Sequence, residues 1–150
     1  MRINRGFTLL EVLLVLAILG ILAGFSATNY IESLKKSRDG KRNADLQQIR
    51  GALELYRSNI GSYPGPTGTY GLPFGTGGLI DALNNTYMTK IPQDSKPGQT
   101  YFYTTSADDY TLAADLEVVP QTVCAESGTD CGTAAGSQSC NYCVGPYGDK

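Results

Sequence analysis

"RGFTLLEVLLVLAILGILAG", Arg5 to Gly24, is an apolar stretch with a single carboxylate, Glu11, set into its start. From Val12 to Ile31, twenty consecutive residues carry no charge. A helix of about 20 apolar residues crosses the hydrocarbon core of a bilayer. An acid at the centre of such a helix costs roughly 2.5–3.5 kcal/mol, and less toward the ends. Glu11 therefore calls for a compensating partner, or a resting place at the level of the lipid headgroups.

On the near side of the stretch lies a short basic leader, Met1 to Gly6, with Arg2 and Arg5. A positive flank holds its end of a span on the cytoplasmic side, so the rest of the chain faces outward. An ordinary signal peptide is cut after its apolar region. The best such site here follows Ser26, but bulky Phe25 precedes it and Glu11 interrupts the apolar region. A cut before the apolar region, at Gly6–Phe7, would instead create an α-amino group on Phe7. Such an amine has an unperturbed pKa of about 7.7–8.0, and it lies four residues before Glu11. A helix N-terminus also favours an acid in its first turn. Between staggered subunits, the Glu11 of one chain would meet the Phe7 amine of the next. The attraction is strong in a low-dielectric medium, so it would offset burial and set axial register together.

On the far side, no proline interrupts residues 7–58. Leu46, Ile49, Leu53, Tyr56 and Ile60 are spaced 3, 4, 3 and 4 apart, one face of an amphipathic helix. The spacing predicts a single helix of about 50 residues, roughly 75–80 Å long, apolar all round at first and one-sided after that. Gly40 and Gly51 each weaken it by about 1 kcal/mol relative to Ala, which allows a bend at Asp39-Gly40. Prolines and glycines crowd "NIGSYPGPTGTYGLPFGTGG" and make it a surface loop. "GLIDALNN" reads as one short helix turn. "QTYFYTT" and "DYTLAADLE" read as two strands joined by the hairpin signal "SADD". The expected fold is α+β: a long N-terminal helix, membrane-spanning in its first half, packed on a small antiparallel sheet with a disulfide-stapled C-terminal loop. The division predicted is 1–6 leader, 7–31 membrane and assembly segment, 32–60 amphipathic helix, and 61–150 globular head.

The chain has no histidine, which removes the commonest general base and metal ligand. No enzymatic role and no cofactor are expected. Net charge is −2, so bulk nucleic-acid binding is not suggested. Cys124, Cys131, Cys140 and Cys143 lie in a Gly/Ser/Thr-rich tail. An even number beyond a membrane span reads as disulfides in an oxidising compartment, with three connectivities open. Cys140 and Cys143 also form a C-x-x-C. A redox pair would need a strand before it and a helix after it, and a Cys₄ zinc site would need paired C-x-x-C spacing. Asp108, Asp109, Asp115, Glu117 and Asp130 are the candidate calcium oxygens. Against that, Asp108 and Asp109 suit a hairpin turn, and Asp115 and Glu117 suit a solvated strand face. "KKSRDGKR", Lys35 to Arg42, reads as a polar collar at the membrane interface or between subunits, with acidic neighbours or DNA as the other partners considered.

"GFTLLEVLLVLAILGIL" resembles the N-terminus of type IV pilins and of type II secretion pseudopilins. Gly6, Phe7, Thr8, Leu9, Leu10 and Glu11 match that family's pattern. "RDGKRNADLQQIRGALELYRSNIGSYP" extends the likeness toward G-type major pseudopilins. The resemblance implies cleavage after Gly6 by a prepilin peptidase and methylation of the Phe7 amine, which keeps its positive charge. It implies an inner-membrane assembly platform, minor pilins or pseudopilins as partners, and a homo-oligomeric fibre in which Glu11 pairs with a neighbour's Phe7. The chain would wait in the inner membrane, head outside, and then join a periplasmic pseudopilus or a surface pilus. Two departures stand out. Many members carry a proline where Thr28 stands, and the cysteine tail is closer to pilins than to calcium-stapled pseudopilins. The function expected is a structural fibre subunit; the alternative is a singly anchored membrane protein with a binding domain outside the membrane.

Overall fold

The computed structural model describes residues 6–66, 71–106, 108–118, 124, 131 and 140–149, except the side chains of residues 25–29 and 149. The leader residues Met1–Arg5, the Ser26 site, the Thr28 side chain and Asp130 fall outside that description.

One helix dominates. α1 runs Leu9–Ile60, 52 residues, about 78 Å at 1.5 Å per residue. Thr8 caps it: its side chain accepts a hydrogen bond from the Glu11 amide at 3.3 Å, satisfying one of the free donors of the first turn. Gly61, at φ 88°, ends it in the left-handed conformation, its N–H donating to the Arg57 carbonyl at 2.7 Å. The helix is unbroken through Asp39-Gly40, so the bend allowed by Gly40 does not interrupt its hydrogen bonding.

The described side chains in the first half of α1 are exposed. Leu9 through Leu22 expose their large apolar side chains by 46–78 %. Among the described residues no helix is long and apolar enough to cross a membrane. The second half buries Leu46, Ile49, Ala52 and Leu53 against the head. Ile60, the last residue of the predicted stripe, stays 42 % exposed because it sits at the helix end.

A hairpin follows the loop, β1 (Leu79–Ile80) with β2 (Thr86–Met88). The sequence expectation of a helix turn over "GLIDALNN" is wrong here. Asp81 decides the matter: one carboxylate oxygen accepts from the Leu83 and Asn85 amides, and the other from the Asn85 side chain and the Tyr87 hydroxyl. That is turn chemistry, and Asn84 supplies a φ of 64° beside it.

The main sheet has four antiparallel strands in the order β3 (Phe102–Ser106), β4 (Asp109–Ala114), β5 (Tyr142–Gly145) and β6 (Gly148–Asp149). Strand alternation gives it two distinct faces. Tyr103, Leu112 and Val144, in register across three strands, join the helix in the main core. Phe102, Ala113 and Cys143, also in register, pack with Cys124, Cys131 and Cys140 on the opposite side. The head is thus helix, sheet and disulfide layer. The tail expected to be loop contains strand β5, which the sequence did not announce because Tyr142, Cys143 and Val144 owe their extended form to β4 beside them.

Candidate functional site

Two places carry the chemistry: the bare start of α1 and the shoulder where the helix meets the head.

At the start, Thr8 is extended (φ −82°, ψ 149°), so the Gly6–Phe7 peptide lies outside the helix. Both residues are exposed, Phe7 by 81 %. Glu11 is exposed one turn further on, and no ion pair joins it to another described residue. A negative group thus stands within an uncovered apolar surface, four residues from Phe7.

At the shoulder, the cluster read as a polar collar at the membrane interface or between subunits divides by face. Arg42 is fully buried. Its Nε and Nη2 form a fork on Asp94 at 2.7 and 3.2 Å, its Nη1 reaches Asp39 at 2.8 Å and Glu117 at 3.2 Å, and its Nη2 also donates to Gln99 at 2.8 Å. Arg38 makes a second fork on Glu117 at 2.8 and 2.7 Å. Asp39 in turn accepts the amides of Glu117 and Val118. Gln99 passes the network on by donating to Asp115 at 2.7 Å. Arginine suits this place because its planar fork serves several carboxylates at once. Burial alone would lower the Arg42 pKa, but the bonds to Asp94, Asp39 and Glu117 outweigh it and hold the guanidinium above its usual value.

The four described calcium candidates are placed in two separate settings. Asp108 lies in the β3–β4 turn with Arg57 at 3.3 Å, and Asp109 begins β4. Asp115 and Glu117 border the Arg42 network, which corrects the expectation that they are solvated: Asp115 is buried and the Glu117 side chain is 12 % exposed. Burial raises the Asp115 pKa against the pull of Gln99, Arg42 and Lys96. The hydrogen bonds of Arg38 hold Glu117 down at about 2. Among the described residues no group of three or more His, Cys, Asp or Glu could hold a metal ion.

Cys140 and Cys143 do not pair with each other. Cys124 bonds Cys143 and Cys131 bonds Cys140, one bridge nested inside the other. Both are buried against Ala113, and no free cysteine remains among the described residues.

Asp94 and Gln99 escaped the sequence reading, and Asp39 and Arg42 were placed in the collar rather than in the head. The signal was present: Asp39 and Arg42 continue the Leu46–Ile49–Leu53 stripe backward at spacings of 3 and 4, so they share its buried face.

Comparison with known proteins adds a second line. Residues 1–27 match the family model described as the prokaryotic N-terminal methylation motif. Residues 29–119 match that of type II secretion system protein G. The chain is 31 % identical over 131 residues to type II secretion system core protein G of Vibrio cholerae, covering 77 % of this chain and 84 % of that one. It is 39 % identical over 64 residues to the protein of the same name from Klebsiella pneumoniae, spanning 46 % of its length. It is 35 % identical over 60 residues to the type IV major pilin protein PilA of Myxococcus xanthus, 27 % of that chain. No solved structure matches.

Proposed function

Because the chain belongs to the type II secretion system protein G family, a family of structural fibre subunits, we propose that it is a pseudopilin that assembles through the bare half of α1. In this reading residues 1–6 are a leader and residues 7–31 wait in the inner membrane as a single span. Residues 32–60 carry the head, residues 61–150. A prepilin peptidase cuts Gly6–Phe7, the Phe7 amine is methylated, and an inner-membrane platform with minor pseudopilins draws subunits into a periplasmic fibre. Catalysis has no part in it.

The observation that carries the proposal is Glu11: exposed, unpaired with any described residue, and surrounded by apolar side chains that no part of the head covers. A carboxylate so placed is stable inside a fibre only when a neighbour supplies a cation, and the new Phe7 amine is the cation within one turn. The test replaces Glu11 by leucine. Membrane insertion and cleavage should proceed while fibres fail to form; normal fibres from Glu11→Leu would end the register argument. N-terminal sequencing of the membrane-extracted chain discriminates the anchored binding protein, since that alternative keeps Met1.

The nested disulfides favour a second reading, a type IV pilin displayed on the cell surface, because a bridged C-terminal unit suits an exposed fibre. Deletion separates the two: loss of secreted enzymes for the first, loss of twitching or transformation for the second.

A further inference from the structure

The sequence "KKSRDGKR" mixes signs, yet the fold sorts them. Asp39 and Arg42 are buried in the head, and Arg38 is committed to Glu117. What remains outward is Lys35, Lys36 and Lys41, all exposed. Lys36 pairs with Glu32 at 3.1 Å, with both side chains more than 60 % exposed, a contact worth little in water. Lys35 and Lys41 have no ion pair with a described residue. At 100° per residue the three lysines project to three sides of α1, a ring rather than a stripe. Lys96, exposed on the head, lies close enough to Asp115 and Glu117 to act on both carboxyls, and so adds a cation near the same level.

The height of the ring is informative. Lys35 and Lys36 lie four and five residues beyond Ile31, the last of the uncharged run, or about 6–7.5 Å along the axis. The headgroup layer on each side of the hydrocarbon core is about 5–8 Å thick. Lys41 is about 15 Å out, and its four-carbon stem lets the ammonium reach back toward that layer.

We propose that Lys35, Lys36 and Lys41 bind the phosphate groups of anionic phospholipids in the leaflet beneath the head, fixing the height at which the subunit floats before assembly. This rests on the membrane-inserted reading given above. The fit is one of charge: every cation of the ring faces out, and the acids that would neutralise it, other than Glu32, are turned into the head. Lysines near an anionic surface are attracted to it, which makes a several-fold preference for anionic over zwitterionic lipid the expected readout.

The experiment reconstitutes the full chain and its Lys35→Gln/Lys36→Gln/Lys41→Gln variant in phosphatidylcholine vesicles, with spin-labelled phosphatidylglycerol or phosphatidylcholine as probe. The wild type should hold the anionic probe at least about five-fold better, the preference should shrink in 0.5 M salt, and the triple variant should fall to about one. Lys90→Gln, an exposed lysine outside the ring, should leave the preference intact. Equal retention of both probes by the wild type, or an undiminished preference in the triple variant, overturns the proposal. Carbonate extraction of the same vesicles tests insertion separately: a chain that washes off refutes the membrane reading itself, whereas an inserted chain without lipid preference refutes only the ring.

Discussion

Replacing Arg42 by methionine keeps the stem and removes the guanidinium, which leaves Asp39, Asp94 and Glu117 facing one another without their shared cation. Breaking a buried ion pair from one side costs about 3–5 kcal/mol, because the stranded charge remains buried. Arg38 provides the internal comparison. Its side chain is 34 % exposed, and Glu117 would keep Arg42 if Arg38 were lost. Arg38→Met should therefore cost no more than about 1 kcal/mol. For a folded unit of 60–100 residues, 1 kcal/mol moves Tm by about 4–8 °C, so Arg42→Met should lower it by at least about 12 °C. The assay is urea unfolding of the full chain in detergent, comparing midpoints at unchanged slope so that a stability change is not confused with a change in the denatured state. Arg42→Lys should recover only part of the loss, since one ammonium cannot serve two carboxylate forks. The double variant Arg42→Met/Asp94→Asn should be more stable than the sum of its parts predicts. If Arg42→Met costs no more than Arg38→Met, the network does not hold head to helix and the reasoning fails.

Glu117 sets an acid limit: its folded pKa is depressed from 4.5 to about 2, so the stability it contributes is complete above about pH 4.5 and disappears as pH falls toward 2. Asp115, raised by burial, works with the opposite sign, so Glu117→Gln should flatten the acid arm of the stability curve measured by circular dichroism. Gly71, at φ 86°, has the Tyr103 carbonyl where a Cβ would stand, whereas Gly61, at φ 88°, faces open space; Gly61→Ala should cost about 1–2 kcal/mol and Gly71→Ala clearly more in the same urea assay. Opening the Cys124–Cys143 bridge by a paired change to serine should cost about 3 kcal/mol, as expected for a separation of 19 residues, and near-ultraviolet dichroism of Tyr142 and its neighbours should weaken as β5 loosens.

The long helix was legible because a 3.6-residue repeat over Leu46, Ile49 and Leu53 has one physical interpretation. The hairpin of β3 and β4 was legible for the same kind of reason: β-rich runs flank an Asp-rich turn. Elsewhere local signals competed. Leu79, Ile80 and Leu83 suit a helix by spacing, but Asp81 and Asn85 satisfy the backbone in a turn and win. β5 had no signal of its own, since its extended form comes from pairing with β4 across 27 intervening positions. Arg42 was misjudged because a charged residue near a membrane segment is ordinarily wet; its phase on the helix said otherwise. Of the candidate site, Phe7 and Glu11 could be named from the sequence alone, while Asp94 and Gln99 become partners only once a distant loop is folded against α1.

The position of β4 has a consequence for biogenesis. Tyr110, Leu112 and Ala114 are buried in the main core and Ala113 in the cysteine layer, yet the second edge of Leu112–Ala114 waits for a strand synthesised much later. Until β5 is made, the folding head therefore carries a sticky open seam, the kind of edge that recruits foreign strands. Cells unable to form the two disulfides should therefore accumulate insoluble subunits before any filament defect is seen.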